Sequence, residues 1–103
     1  MAVGMLMAGP GVTDETYRQL TEKMFGTYPM REEDSPEGLI LHTAGASEQG
    51  YYVYDVWESK EAFQRFVDSK LMPAAQELMG GDAPPMQPQF FEIDTMVKGP
   101  TLR

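Results

Sequence analysis

The single histidine of the chain, His42, and the aspartate Asp55 are the two residues whose types and spacing could do chemistry together. An imidazole exchanges protons near neutral pH. A carboxylate beside it orients the ring and stabilises its charged form, leaving the other ring nitrogen to take a proton from a phenol or an enol. The pairing follows from the residues around them. Leu39 to Ala44 and Tyr51 to Trp57 are β-rich runs separated by the small and polar stretch Gly45 to Gly50, which predicts an antiparallel hairpin. With a turn near Glu48 and Gln49, residues whose numbers sum to about 97 lie opposite each other, so His42 falls beside Asp55. A register slip of one residue would separate the two. A structural reading stays open as well: a hydrogen-bonded strand histidine, and a carboxylate at a sheet edge or in an ion pair with a second subunit.

Other chemistries find little support. The chain has no cysteine, which removes disulfides, thiolate nucleophiles and thiolate metal sites. Glu32, Glu33 and Asp34 lack the glycine and spacing of a calcium loop and read as a solvated run, so no metal is expected. Ser59 and Ser69 have no nearby histidine or acid with triad logic, and the glycines form no phosphate-cradling loop. Sixteen acidic against eight basic residues give a formal charge of -8, which repels nucleic acid and anionic lipid surfaces. The apolar start, Met1 to Pro10, is too short for a membrane span and lacks the basic flank of a secretory signal, so a cytoplasmic protein is expected.

The elements that must position His42 and Asp55 can be read along the chain. With 103 residues, 42% hydrophobic and 23% charged, one domain over residues 1–103 with one packed core is expected. Ala2 to Ala8 is an apolar run closed by Gly9, Pro10 and Gly11, and fits a buried strand. Thr13 can cap a helix whose first turn carries Asp14 and Glu15 and whose apolar stripe is Tyr17, Leu20 and Met24, with Gly26 as its stop. Thr27 to Pro36 reads as a loop. After the hairpin, Ser59 caps a second helix with the stripe Phe63, Phe66, Val67 and Leu71. Pro73 disfavours a helical Met72 and should kink or restart that helix before Gly80 and Gly81. Phe90 to Val97 supplies the last strand.

The order βαββαβ predicts an α+β, ferredoxin-like fold: a four-stranded antiparallel sheet with both helices on one face. Met5 to Ala8, Leu39 to Leu41 and Tyr51 to Tyr54 carry bulky apolar groups on both sides, so the bare face needs a cover. The same face of a second copy is the most economical one, giving a homodimer closed sheet to sheet into an α+β barrel.

The stretch Tyr51-Tyr52-Val53-Tyr54-Asp55-Val56-Trp57-Glu58-Ser59-Lys60-Glu61-Ala62-Phe63 resembles the antibiotic-biosynthesis-monooxygenase-like family of dimeric α+β barrels. Length and order of elements agree over nearly the whole chain. The family includes cofactor-free oxygenases of aromatic polyketides, haem-degrading oxygenases and polyketide cyclases. The haem-degrading branch uses a strand-one Asn and a second-helix His. Strand one here has no Asn and the stretch around Val67 has no His.

The resemblance implies a dimeric enzyme acting without metal, flavin or haem on a planar, apolar, aromatic or polyketide-like molecule, with monooxygenation first. It also implies that Trp57 faces the barrel cavity. Strand periodicity then puts Tyr51, Val53 and Asp55 on the same side, and Tyr52, Tyr54 and Val56 under the helices. In that role His42 abstracts the substrate proton, Asp55 orients it, Trp57 and Tyr51 position the ring, and Phe91 or Met5 closes the pocket. A cyclase or isomerase using the same groups without oxygen, and a non-catalytic ligand-binding protein, are the alternatives.

Overall fold

The computed structural model describes residues 2–9, 12–80 and 87–102. Strand β1 (Val3–Ala8) leads into helix α1 (Asp14–Phe25), and a short 3-10 turn (Glu32–Asp34) precedes the hairpin of β2 (Leu39–Ser47) and β3 (Gly50–Trp57). Helix α2 (Lys60–Phe66), a π-helical turn (Val67–Leu71) and helix α3 (Met72–Met79) follow, and β4 (Gln89–Glu92) closes the order. The strands form one antiparallel sheet in the order β2-β3-β1-β4. This is the expected α+β arrangement, with the helices on one face.

Local chemistry sets the boundaries. The Thr13 hydroxyl accepts the Thr16 N–H at 3.1 Å, and Gly26, at φ 75°, ends α1 with its own N–H on the Glu22 carbonyl. The Ser59 hydroxyl accepts the Ala62 N–H at 3.1 Å and starts α2. Pro73 acts differently from its sequence reading. Met72 stays helical, at φ -64° and ψ -43°, and the Met72 N–H reaches back five residues to the Val67 carbonyl. The wider π turn accommodates a proline ring that an ordinary α turn would meet as a clash, so the helical run continues through it into α3. The fourth strand is also shorter than the apolar run Phe90 to Val97, since pairing with β1 ends at Glu92 and the Ile93 N–H makes a last bond to the Ala2 carbonyl.

In the hairpin His42 stands opposite Asp55, as the turn position predicts, and a bulge at Ile40 shifts the pairing so that Leu39 meets Trp57. The core lies between sheet and helices and gathers Met5, Val53, Trp57, Ala62, Phe63, Val67 and Leu71. Trp57 is 1% exposed and packs on Phe63 and Phe66 with ring centroids 5.5 Å apart in both cases.

That contact corrects the expected facing of the sheet. Tyr51, Val53, Asp55 and Trp57 do share one side, but it is the side under the helices. Tyr52, Tyr54 and Val56 lie on the opposite, outer face with Gly4, Leu6, Leu41 and Phe91. The Tyr54 ring covers Gly4, where a Cβ would come within 2.5 Å of the Tyr54 hydroxyl. Among the described residues no helix is long and apolar enough to cross a membrane.

Candidate active site

The inner face of the sheet and the helices enclose a cavity of about 460 Å³. Its walls are mostly apolar, with Met5 and Met7 from β1, Leu20 and Met24 from α1, and Phe66 and Met72 from the second helical segment. Small-molecule sites commonly have this character, with a few placed polar groups that fix orientation. Here Tyr17, His42 and Asp55 are the ones that converge, beside Thr13, Thr16, Thr21 and Gln87, and among the described residues no Lys or Arg lines the cavity.

Three elements bring the polar groups together. Alternation along β2 and β3 turns His42 and Asp55 inward as neighbours, and His42 Nδ1 lies 2.7 Å from Asp55 Oδ1. The other carboxylate oxygen accepts the Trp57 Nε1–H at 3.2 Å, two positions along the same strand face. From α1, the Tyr17 hydroxyl reaches His42 Nε2 at 2.6 Å. The tyrosine ring lies end to end with the imidazole through that bond, their planes 18° apart, and is held by Tyr51 at 5.6 Å and the edge of Tyr28 at 6.0 Å.

The donor and acceptor roles follow from the carboxylate, which can only accept. His42 Nδ1 therefore carries a hydrogen toward Asp55, and in the neutral ring Nε2 is the acceptor of the Tyr17 O–H. Asp55 is 5% exposed and has both oxygens engaged by inward-facing donors, which satisfies a carboxylate that would be costly to bury alone. Burial pushes the Tyr17 hydroxyl above its ordinary pKa near 10, and nearby Tyr51, Tyr28 and Asp55 add to the rise. Tyr17 is thus a neutral hydroxyl at neutral pH.

Of the residues singled out in the sequence, His42, Asp55, Trp57 and Met5 meet at this cavity. Tyr51 does not line it and instead buttresses Tyr17. Phe91 is on the outer face and 46% exposed; its neighbour Phe90 takes the inner position and packs on Phe63 at 5.6 Å. The two adjacent phenylalanines differ only by strand parity, which the actual β4 register fixes. The sequence pattern places Tyr17 only in a helical stripe, although a buried tyrosine hydroxyl in that stripe needs a partner, and the lone histidine is the one it finds. Among the described residues no three of His, Asp and Glu gather in a way that could hold a metal ion.

No protein-family model matches the chain, and no curated protein matches it in sequence. Solved structures do match its fold. The protein Rv0793 of Mycobacterium tuberculosis superposes with a TM-score of 0.58 at 13% identity, over 94% of this chain and 97% of that one. The haem-degrading protein Rv3592 of the same organism gives 0.53 at 18% identity, over 95% and 100% of the two chains. A mutant form of SnoaB, a cofactor-independent oxygenase from Streptomyces nogalater, gives 0.52 at 16% identity, over 95% and 98%. Over nearly its whole length, the chain has the fold of the antibiotic-biosynthesis-monooxygenase-like proteins.

Proposed function

We propose that this protein is a cofactor-independent monooxygenase acting on a planar, uncharged aromatic or polyketide-like molecule that bears an acidic phenolic or enolic proton. The observation that carries the reading is the imidazole held at the wall of an otherwise apolar cavity, with a buried carboxylate behind it. Such a site binds a flat hydrophobic body, removes one proton from it and stabilises the resulting imidazolium. The electron-rich anion left behind is itself the reductant. In an anthrone-like substrate, a CH2 carbon becomes a carbonyl, one atom of O2 enters the product and the other leaves as water, so no external reductant is needed. The oxygenase SnoaB, similar in fold, is consistent with this reaction class.

Asp55 orients His42 in this scheme, Trp57 fixes Asp55, and Met5 forms part of the wall against the ligand. A haem-degrading role fits the residues less well. Both nitrogens of the single histidine are engaged, and among the described residues no cation lines the cavity to pair with a propionate.

The protein further works as a homodimer in this proposal. The outer sheet face presents Leu6, Leu41, Tyr54 and the exposed Phe91 in one layer, an apolar surface of the kind that marks an interface. The test of the catalytic reading is oxygen uptake with a panel of anthrones and phenols, without added metal or flavin, in the parent and in His42→Ala. Uptake that depends on His42 supports it. Turnover without oxygen uptake would replace it with a cyclase, and binding without turnover would replace it with a binding protein.

A further inference from the structure

The imidazole has no nitrogen left to offer a ligand. Nδ1 is committed to Asp55 at 2.7 Å and Nε2 to the Tyr17 hydroxyl at 2.6 Å. The next open position in the row is the Tyr17 oxygen, which uses its hydrogen on His42 and keeps lone pairs free to accept. Tyr17 itself lines the cavity. Most other polar groups at the wall have other commitments: Thr21 donates to the Tyr17 carbonyl at 2.8 Å, Trp57 donates to Asp55, and Thr13 and Thr16 pair with each other at the exposed start of α1, while Gln87 sits at the wall as an exposed amide.

We infer that Tyr17 is the residue that meets the acidic proton of the ligand, and that it passes its own proton to His42 in the same event. The inference rests on reading the cavity as a site of proton abstraction, and it changes which residue touches the ligand. In the step, the ligand O–H bond breaks and a new Tyr17 Oη–H bond forms. The former Tyr17 O–H bond breaks and His42 gains a hydrogen at Nε2. The electron pair stays on the ligand oxygen as a phenolate, and the Asp55 carboxylate balances the imidazolium through the Nδ1–H. No oxidant or reductant takes part.

The surroundings suit a relay. Tyr28 and Tyr51 pack on the Tyr17 ring and the bond to His42 holds its hydroxyl, so the hydroxyl does not have to search for its partner. Because the hydroxyl resists ionisation, tyrosinate does not accumulate, and the charge moves on to the imidazole beside its carboxylate. A directly acting histidine would have to break its bond to Tyr17 before meeting the ligand.

The experiment uses 3-nitrophenol, a coloured dye whose phenolate absorbs to the red of the neutral form, at neutral pH, where the free dye is mostly protonated and an ordinary imidazole is mostly neutral. Binding is followed by quenching of Trp57 fluorescence and ionisation by visible absorbance, in the parent, Tyr17→Phe and His42→Gln. Tyr17→Phe keeps the ring that packs on Tyr28 and Tyr51 and removes only the hydroxyl, and a thermal melt confirms its fold. The parent is expected to bind the dye as phenolate, while both variants bind it and leave it neutral. With an anthrone that supports oxygen uptake, Tyr17→Phe lowers turnover by roughly 10²–10⁴, the usual contribution of a positioned proton-transfer group. Full ionisation in Tyr17→Phe with none in His42→Gln would overturn the relay and leave His42 as the directly acting base. A parent that binds only neutral dye would overturn proton abstraction itself, and the relay with it.

Discussion

Replacing Asp55 with Asn changes almost no volume and reverses the polarity of the whole hydrogen-bonded row. Trp57 is 1% exposed and its indole N–H needs an acceptor, so the amide oxygen of the variant must face it. The amide NH2 group then points at His42 Nδ1, which has to accept. The imidazole hydrogen moves to Nε2, which becomes a donor toward Tyr17 and can no longer receive a proton. A carboxylate-to-amide change of this kind behind a catalytic histidine, in the serine-protease triad, lowers kcat by about 10⁴ through the wrong tautomer. A loss of roughly 10³–10⁴ in anthrone turnover is therefore expected here.

The fold suffers much less. Exchanging a charge-assisted hydrogen bond for a neutral one costs about 1–2 kcal/mol. His42 keeps 22% of its side chain exposed, and solvent screening puts the loss at the low end. About 1 kcal/mol corresponds to a fall in Tm of about 4–8 °C for a domain of this size. Oxygen uptake and a thermal melt measure both quantities, and 15N NMR of the ring reports the tautomer directly. A folded Asp55→Asn protein that keeps its turnover, or whose hydrogen stays on Nδ1, would refute the reasoning.

Three further outcomes follow from the same geometry. Burial holds the Tyr17 and Tyr51 hydroxyls above the ordinary tyrosine value near 10. The folded protein therefore binds these protons more tightly than the unfolded chain does, and stability present below pH 10 is lost as the pH rises through the folded values. Ultraviolet titration should show late-forming tyrosinate, part of which disappears in Tyr17→Phe; a variant with an unchanged late phase would count against the shift at Tyr17. Gly38 sits at φ 93°, and a Cβ there would come within 2.5 Å of Ala62 Cβ. Gly38→Ala should combine left-handed strain with overpacking and destabilise by roughly 2–4 kcal/mol in urea unfolding, whereas a change under 1 kcal/mol would show that α2 gives way freely. Phe91 is half exposed in the single chain, so Phe91→Asp should leave the fold intact while placing a charge on each side of a twofold interface. Sedimentation should find a parent dimer and a mostly monomeric variant; a parent that is a compact monomer at micromolar concentration, or a variant that stays dimeric, would rule out this face as the interface.

The sequence made some of these features legible because they depend on local chemistry. Thr13, Gly26 and Ser59 mark helix ends through capping, and a turn at Glu48 and Gln49 is enough to set His42 against Asp55. The faces of the sheet were harder. Alternation says that Asp55 and Trp57 share a side, yet it does not say which side the helices cover. That depends on Phe63 and Phe66 reaching Trp57 across the core. Phe90 and Phe91 pose the same problem on a strand of four residues, where nothing local separates the inner phenylalanine from the outer one. The Tyr17 contact joins residues 25 apart through tertiary packing of α1 on the hairpin, so no short-range pattern reports it. The π turn before Pro73 was visible as a disturbance, but its form depends on how the surrounding turns absorb the ring.

Ligand chemistry between the sheet and the helices, beside His42, is tested most directly by NMR of 13C-labelled methionine methyl groups during titration with a neutral anthrone. Met5, Met7, Met24 and Met72 line the cavity, whereas Met96 lies exposed after β4. Saturable shifts of the first four, with ligand contacts to the His42 and Tyr17 rings and a silent Met96, are the predicted result. Contacts confined to Leu6, Tyr54 and Phe91 on the outer face, with the cavity methionines unmoved, would contradict it.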